Sequence, residues 1–284
     1  MRKSTLLVLA IPLGLAFYFV YVGIGWTLWV SVSDWSGLTP SYGFRGLSNY
    51  VELFHDPVFW ISLKNSLLLL LAIPACIGLG LLLATILDQD LRGGGAFRNI
   101  YLLPFALSYV VTGTMWAWMY DPSNGILNTL FRSLGLGFLA GPWHTMPGTV
   151  MLAIIILLIW QFSGYTMLVL LAGMKSVPQQ QINAAKLDGA SGFRLYRKVV
   201  FPQLKAPILT AFVVLMMFIL RAFDLIWVLT GGGPGYSSHT LPIMMYKETF
   251  QATRFAYGSA IACILLAIVL VIVIPYMYKT YRRR

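Results

Sequence analysis

Six long apolar runs alternate with shorter polar stretches along the chain. The runs cover residues 6–32, 67–87, 100–120, 150–174, 208–230 and 256–277, with approximate ends. Each run is long enough to cross the bilayer as a helix, which takes about 20 residues for a hydrocarbon layer of about 30 Å. The pattern therefore predicts an all-α membrane protein with six transmembrane helices, organised as one domain over residues 1–284.

Composition and charge agree with this pattern and add an orientation. The 284 residues are 58% hydrophobic and only 10% charged, which is too apolar for a soluble domain. Fourteen of the 20 Lys and Arg residues lie at the two ends, in residues 88–99 or in residues 175–207. If the six spans cross the membrane alternately, these four regions lie on the same side. Because positive residues are retained on the cytoplasmic side, we expect both termini and both of these loops to be cytoplasmic. The net charge of +11 is then explained without a nucleic acid.

The stretch from Lys175 to Pro207, called here the 175–207 segment, is the longest polar and basic interruption. Its charges would be costly in hydrocarbon, so we expect it to face water and a partner. Ser176 is a candidate cap for a helix over Gln179–Leu187, and Gly189 is expected to end that helix. A second helix is predicted over Phe193–Val200. The segment is therefore predicted to be two short amphipathic helices joined at a glycine corner.

The amino-acid sequence of this segment resembles a known motif. Asn183-Ala184-Ala185, then Asp188-Gly189-Ala190 and Phe201-Pro202, are similar to the EAA loop of permease subunits in binding-protein-dependent ABC importers of the carbohydrate or maltose type. Similar wording occurs at Leu103-Pro104, at Asp121-Pro122 and at Thr230 to Pro234. The sequence departs from the motif at Asn183, where the family usually has Glu, and this puts the Glu-dependent contact in doubt.

The resemblance implies a coupling role for part of the segment. In the family the loop docks into a separate ATPase, so the matching positions are candidate coupling residues: Asn183, Ala184, Ala185, Asp188, Gly189 and Ala190. The Asp188 carboxylate could also bond the N–H groups that start the second helix. The alternative is an ordinary surface helix-turn-helix.

The resemblance also implies the partners. They are a second permease, usually a different chain, two cytoplasmic ATPase subunits and an extracytoplasmic solute-binding protein, in the inner membrane of a bacterium or archaeon. ATP and Mg²⁺ are expected on the partner ATPase, with no cofactor, metal or catalytic residue on this chain. Gly93–Gly95 is not followed by Gly-Lys-Ser/Thr, so it does not predict a phosphate-binding loop. The three histidines are single and are expected to be solvated.

Span five carries the candidate substrate residues. Arg221 and Asp224 stand three positions apart in an apolar run, so we expect them to pair on one helical face that avoids lipid. Phe223 and Trp227 lie nearby, and aromatic rings beside polar groups suit a sugar. The alternative is an ion pair that only holds span five against its neighbours.

Three other functions remain as alternatives. Glycerol-phosphate importer permeases share many of the same sequence motifs. A self-sufficient proton-coupled carrier could use Arg221 and Asp224 as a relay, but it would not need a basic docking segment. An intramembrane enzyme would need converging catalytic groups, and Asp224 is the only carboxylate within a predicted span.

Overall fold

The computed structural model describes residues 3–89 and 92–281, with side chains from residue 10 onward except those of 277 and 279–281. Within these residues the regular structure is helical, apart from one isolated bridge between Ser33 and Phe44. This confirms the all-α prediction. Arg2 and Arg282–Arg284, which entered the charge count, lie outside the described residues.

The α-helices follow the apolar runs but are more numerous, because several runs are divided. In chain order they are α1 (Lys3–Ser31), α2 (Ser48–His55), α3 (Pro57–Leu69), α4 (Ala72–Leu87), α5 (Gly94–Ala106), α6 (Tyr109–Met119), α7 (Ile126–Ser133), α8 (Val150–Lys175), α9 (Gln179–Leu187), α10 (Gly192–Leu195), α11 (Lys205–Leu220), α12 (Phe223–Thr230), α13 (Leu241–Tyr246) and α14 (Phe255–Tyr281).

Five helical stretches are long and apolar enough to cross a membrane. They are Ala10–Ser31, Pro57–Leu87, Val150–Lys175, Gly192–Leu220 and Phe255–Tyr276. The pair α5 and α6 would be a sixth span, with a bend of 99° between its halves. The described residues therefore contain five or six candidate spans.

The chain forms two compact units. The first comprises residues 1–63 and 240–284, and in it α14 packs against α1, α2 and α13. Its core contains Leu53, Phe59, Met244 and Tyr257, all nearly or fully buried. Most of α1 between Ala10 and Leu28 is instead exposed and apolar, as suits a helix surrounded by lipid or a partner subunit.

The second unit, residues 64–239, is built around α8. Helices α4, α5 and α11 pack on α8, and α6 packs on α12. Glycines allow two of these close approaches. A Cβ atom on Gly80 would lie 2.8 Å from the Thr166 side chain, and one on Gly164 would collide with the carbonyl oxygen of Tyr101. Because α8 has neighbours on several sides, more than half of its apolar window is buried.

Candidate functional site

The first helix of the 175–207 segment is α9, which has the predicted bounds but a different start. Pro178 occupies the N-cap position, and no side chain caps the helix. The Ser176 hydroxyl instead donates to the Gly173 carbonyl, 2.7 Å away. The prediction that Ser176 caps α9 is therefore wrong, because α8 continues to Lys175 and its last turn takes the hydroxyl.

Gly189 forms the predicted corner. Its φ of +82° lies in the left-handed region, which favours glycine. The N–H of Gly189 donates to the Lys186 carbonyl and the N–H of Ala190 to the Ala185 carbonyl, at 3.0 and 2.9 Å. These two bonds are a Schellman motif, which satisfies carbonyls at the helix end.

The second predicted helix is shorter than expected. Only Gly192–Leu195 is α-helical, and the chain continues as a π turn over Tyr196–Val200 and a 3₁₀ turn over Phe201–Leu204. Ser191 is the N-cap of α10, and no side chain caps this helix either. Among the described residues the Asp188 side chain has no hydrogen bond, so the expected capping by Asp188 is not found.

The candidate coupling residues lie together on one exposed turn. Ala185 and Ala190 are partly buried, whereas Asn183, Ala184, Asp188 and Gly189 are exposed. The Asn183 side-chain oxygen accepts a hydrogen bond from Gln179, 3.1 Å away. Two large apolar side chains flank the corner, with Leu187 90% and Phe193 70% exposed. Apolar side chains that project this far from a basic segment are typical of a protein-binding surface.

The other candidate site lies at two helix breaks in the second unit. Between α5 and α6 the chain bends at Leu107 and Ser108, shortly after Pro104, which cannot donate a backbone hydrogen bond. The Leu107 carbonyl accepts from Nε2 of Gln161 on α8, 3.3 Å away. Gln161 is fully buried, and its Oε1 atom has no partner among the described residues.

The second break divides predicted span five. Helix α11 ends at Leu220, and α12 begins at Phe223. Arg221 and Asp224 are both exposed, and among the described residues no ion pair within 4 Å joins them. The predicted pairing is therefore wrong, because the helix that would have aligned the two side chains stops between them.

The two breaks lie beside each other. Phe105 at the end of α5 packs edge-on against Phe218 near the end of α11, with ring centroids 5.9 Å apart. Tyr109 at the start of α6 lies within electrostatic reach of both Arg221 and Asp224. Polar and charged groups from α6, α8, α12 and the break after α11 therefore occur at the level where two apolar helices are interrupted.

The predicted aromatic residues belong to the same region. The rings of Phe223 and Trp227 stack on α12, with centroids 5.6 Å apart and planes 22° from parallel. Sequence reasoning proposed Arg221, Phe223, Asp224 and Trp227 but missed Tyr109 and Gln161. A glutamine inside an apolar run was the available signal for Gln161. Nothing local distinguished Tyr109 from other interfacial tyrosines.

Two of the three histidines, His144 and His239, differ from the solvated loop residues predicted, whereas His55 agrees. His55 is exposed, His144 is partly buried and His239 is 2% exposed. In the part of the chain that the structure describes, no three His, Cys, Asp or Glu side chains group as a metal site.

Known proteins resemble the chain over most of its length. Residues 76–284 match the family described as "Binding-protein-dependent transport system inner membrane component". A probable ABC transporter permease protein of Pyrococcus horikoshii is 58% identical over 265 residues, covering 93% of this chain and 91% of that protein. A xylose/arabinose import permease protein of Haloferax volcanii is 40% identical over 276 residues, covering 96% and 86%.

One solved structure is similar throughout. It is a bacterial ABC transporter involved in the import of the acidic polysaccharide alginate, with a TM-score of 0.81 and 22% identity. The similarity covers 99% of this chain and 96% of the matched chain. At this identity the likeness concerns the fold.

Proposed function

We propose a transport role for this chain, which belongs to the family of inner membrane components of binding-protein-dependent transport systems. It forms half of the path through which a sugar, an oligosaccharide or a polyol crosses the cytoplasmic membrane of a bacterium or archaeon. A second permease completes the path, and an extracytoplasmic binding protein delivers the solute. Two cytoplasmic ATPase subunits supply the energy and hold ATP and Mg²⁺.

The observation that carries this proposal is the pair of neighbouring helix breaks. Interrupted helices leave backbone groups that lipid cannot hydrogen-bond, so such breaks occur where they are buried in protein or line a watery cavity. The exposed charges of Arg221 and Asp224 are costly against lipid for the same reason. The face that carries them therefore borders the transport path or the second permease.

The chemistry of this face suits a neutral polyhydroxylated solute. The Tyr109 hydroxyl, the Arg221 guanidinium and the Asp224 carboxylate offer both donors and acceptors to hydroxyl groups. The stacked rings of Phe223 and Trp227 offer an apolar surface to the CH faces of a sugar ring. A relative that is 40% identical is named for xylose and arabinose import, which supports the same class.

The 175–207 segment is the proposed contact with the ATPase. Leu187 and Phe193 project on either side of the Gly189 corner and can enter an apolar cleft. The rigid Schellman turn holds them apart in a fixed orientation. Asn183 in place of the usual Glu leaves this contact without one charge, so apolar burial carries more of the docking.

Uptake by proteoliposomes that contain the whole complex tests the function. Labelled xylose, arabinose, maltose and glycerol 3-phosphate are offered separately together with the binding protein. We expect uptake of at least one sugar, dependent on ATP at the ATPase side. Uptake of glycerol 3-phosphate alone would favour the phosphate-ester alternative, and uptake driven by a proton gradient without ATP would contradict the proposal.

Two substitutions test the pathway residues. Asp224→Asn and Trp227→Ala should each raise the half-saturating sugar concentration about tenfold, because loss of one charged hydrogen bond or one stacking surface costs about 1–3 kcal/mol. Phe250→Ala, which removes an exposed aromatic ring outside this site, is the control. If both variants only lower the amount of folded complex, with transport per complex unchanged, these residues are structural.

A further inference from the structure

The end of α4 is tied to the 175–207 segment by one carboxylate. Asp88 follows the last residue of α4, and its Oδ1 atom lies 3.2 Å from the ammonium of Lys175. The Tyr196 hydroxyl donates to its Oδ2 atom at 2.9 Å. Each carboxylate oxygen thus holds a different part of the segment, Lys175 at its start and Tyr196 in the π turn.

The same place also contains an apolar cluster. Leu83 and Leu87 of α4 pack with Val177, Val200 and other residues of α8 and the segment. This contact alone would tolerate sliding, since apolar burial is not directional. The two bonds of Asp88 are directional and charge-assisted, so they set the register between α4 and the segment.

The Asp88 carboxylate, with its two bonds, is partly buried beside a cavity. The Asp88 side chain is 20% exposed, and it borders a cavity of about 340 Å³ that Lys186, Gln179 and Gln89 also line. The Lys175 side chain is 52% exposed, so solvent screens part of the ion pair, whereas the more buried Asp88 carboxylate is screened less. The hydrogen bond between Tyr196 and Asp88 joins residues 108 positions apart, so it connects parts of the chain that are distant in sequence.

We propose that Asp88 is a positioning residue that makes the end of α4 and the 175–207 segment move as one body. When a partner displaces the segment, α8 and α11 move because they are joined directly to its two ends. The bonds of Asp88 make α4 move as well. This inference rests on the proposed function, because it takes the displacement to come from the ATPase. Asp88 lies outside the 175–207 segment and is not part of its EAA-like motif.

The test measures one distance in two states of the assembled complex. Spin labels are placed at Gln89→Cys and Lys198→Cys, both exposed, in a chain whose Cys76 and Cys263 are replaced by alanine. Distances are recorded without nucleotide and after trapping with ATP and vanadate. In the otherwise unchanged protein we expect the same distance in both states.

Substitutions distinguish the effect of the Asp88 bonds from a general loss of stability. Asp88→Ala should shift the distance on trapping by roughly 3 Å or more, the length of one hydrogen bond. Tyr196→Phe, which removes a single hydroxyl, should give a smaller shift and keeps the test decisive if Asp88→Ala fails to assemble. Gln179→Ala is the control, because this side chain lines the same cavity but bonds within its own helix.

A distance that changes with nucleotide in the unchanged protein overturns the inference, as does a constant distance in both Asp88→Ala and Tyr196→Phe. Conservative rescue adds a second criterion, since Asp88→Glu should restore a constant distance. Failure of the proposed function is separately visible, because the ATPase would then not copurify with the chain.

Discussion

Gly189 turns the 175–207 segment, and its contribution is conformational. A Cβ atom added there would meet nothing within 4 Å, so a larger residue is opposed by the backbone alone. The left-handed conformation costs a non-glycine residue about 1–2 kcal/mol. The corner thus holds Leu187 and Phe193 in place at a position where space would admit many side chains.

Replacing Gly189 should uncouple transport while leaving the chain in the membrane. For Gly189→Val we expect ATP-driven sugar uptake to fall about 5- to 30-fold, the population change that 1–2 kcal/mol produces. Gly95→Val is the matched control, since Gly95 also has open space but an ordinary φ. Normal uptake by Gly189→Val, measured per assembled complex, would remove the corner from the coupling mechanism.

His144 gives the loop between α6 and α8 a dependence on pH. Burial lowers the pKa of His144, and the nearby Asp121 carboxylate offsets this only in part. Backbone N–H groups of Asn124 and Ser123 hold the pKa of Asp121 below its ordinary value. In the folded loop His144 therefore stays neutral at pH values where the unfolded loop is protonated.

The loop should accordingly loosen in mild acid. The stability that neutral His144 contributes to the loop is fully present above the ordinary histidine pKa of about 6.5. It falls as the pH drops below that value, because the unfolded state binds the proton first. Amide exchange over residues 121–149 should rise between about pH 7.5 and pH 5.5, after correction for the intrinsic rate. His144→Gln should remove this change, and an equal rise in that variant would show that another group is responsible.

At the scale of elements, α8 determines how the second unit packs. Its glycines face neighbouring backbones and side chains, and its Gln161 holds the carbonyl at the α5–α6 break. Helices in membranes gain little from burying apolar groups against each other, so close backbone approach and interhelical hydrogen bonds carry more of the association. The position of α5, and with it the break, therefore depends on small residues of α8.

Gly164→Ala should destabilise the complex. The added methyl group would collide with the Tyr101 carbonyl oxygen, and overpacking of this kind costs about 1–3 kcal/mol. We expect a thermal transition of the purified complex that is several degrees lower. Gly78→Ala on α4, where the methyl group meets nothing within 4 Å and alanine is a better helix former, should not lower it. A shift of equal size in both variants would mean that close packing at Gly164 is not the cause.

At the scale of the whole molecule, the distribution of cations predicts which loops face the cytoplasm. Lys186, Arg194, Arg197 and Lys198 crowd the 175–207 segment, whereas Arg132 is the only Lys or Arg residue in the loop of residues 121–149. Helix α8 separates these two loops, so it must cross the membrane for them to lie on opposite sides, and the α5–α6 pair must cross as one bent span for residues 88–99 to share the side of the 175–207 segment. The sides on which the 121–149 loop and the 175–207 segment lie therefore give the orientation of α8.

The accessibility of introduced cysteines tests this orientation. In a chain without Cys76 and Cys263, Ser191→Cys should resist an impermeant thiol reagent in intact spheroplasts and react after permeabilisation. Phe138→Cys, an 81% exposed position in the other loop, should react without permeabilisation. Labelling of Ser191→Cys from outside would reverse the topology.

The sequence by itself determined the elements whose signals are local. Length of apolar run sets membrane-spanning helices, because a helix needs about 20 such residues to satisfy its backbone in lipid. Charge predicts that α9 and its glycine corner face water, and Gly189 forms the turn because glycine readily adopts a left-handed backbone. For the same reason the 175–207 segment and its family resemblance were recognisable before any contact was known.

Only the tertiary structure decided where the spans break and what meets at the breaks. The runs that contain Leu107 and Arg221 are long and mostly apolar, so hydrophobicity alone extends a helix through both. Helix ends there depend on partners elsewhere in the chain, such as Gln161 at the Leu107 carbonyl. The contacts of Asp88 with Lys175 and Tyr196 were equally out of reach, because a hydrogen bond between distant residues exists only once packing has placed them.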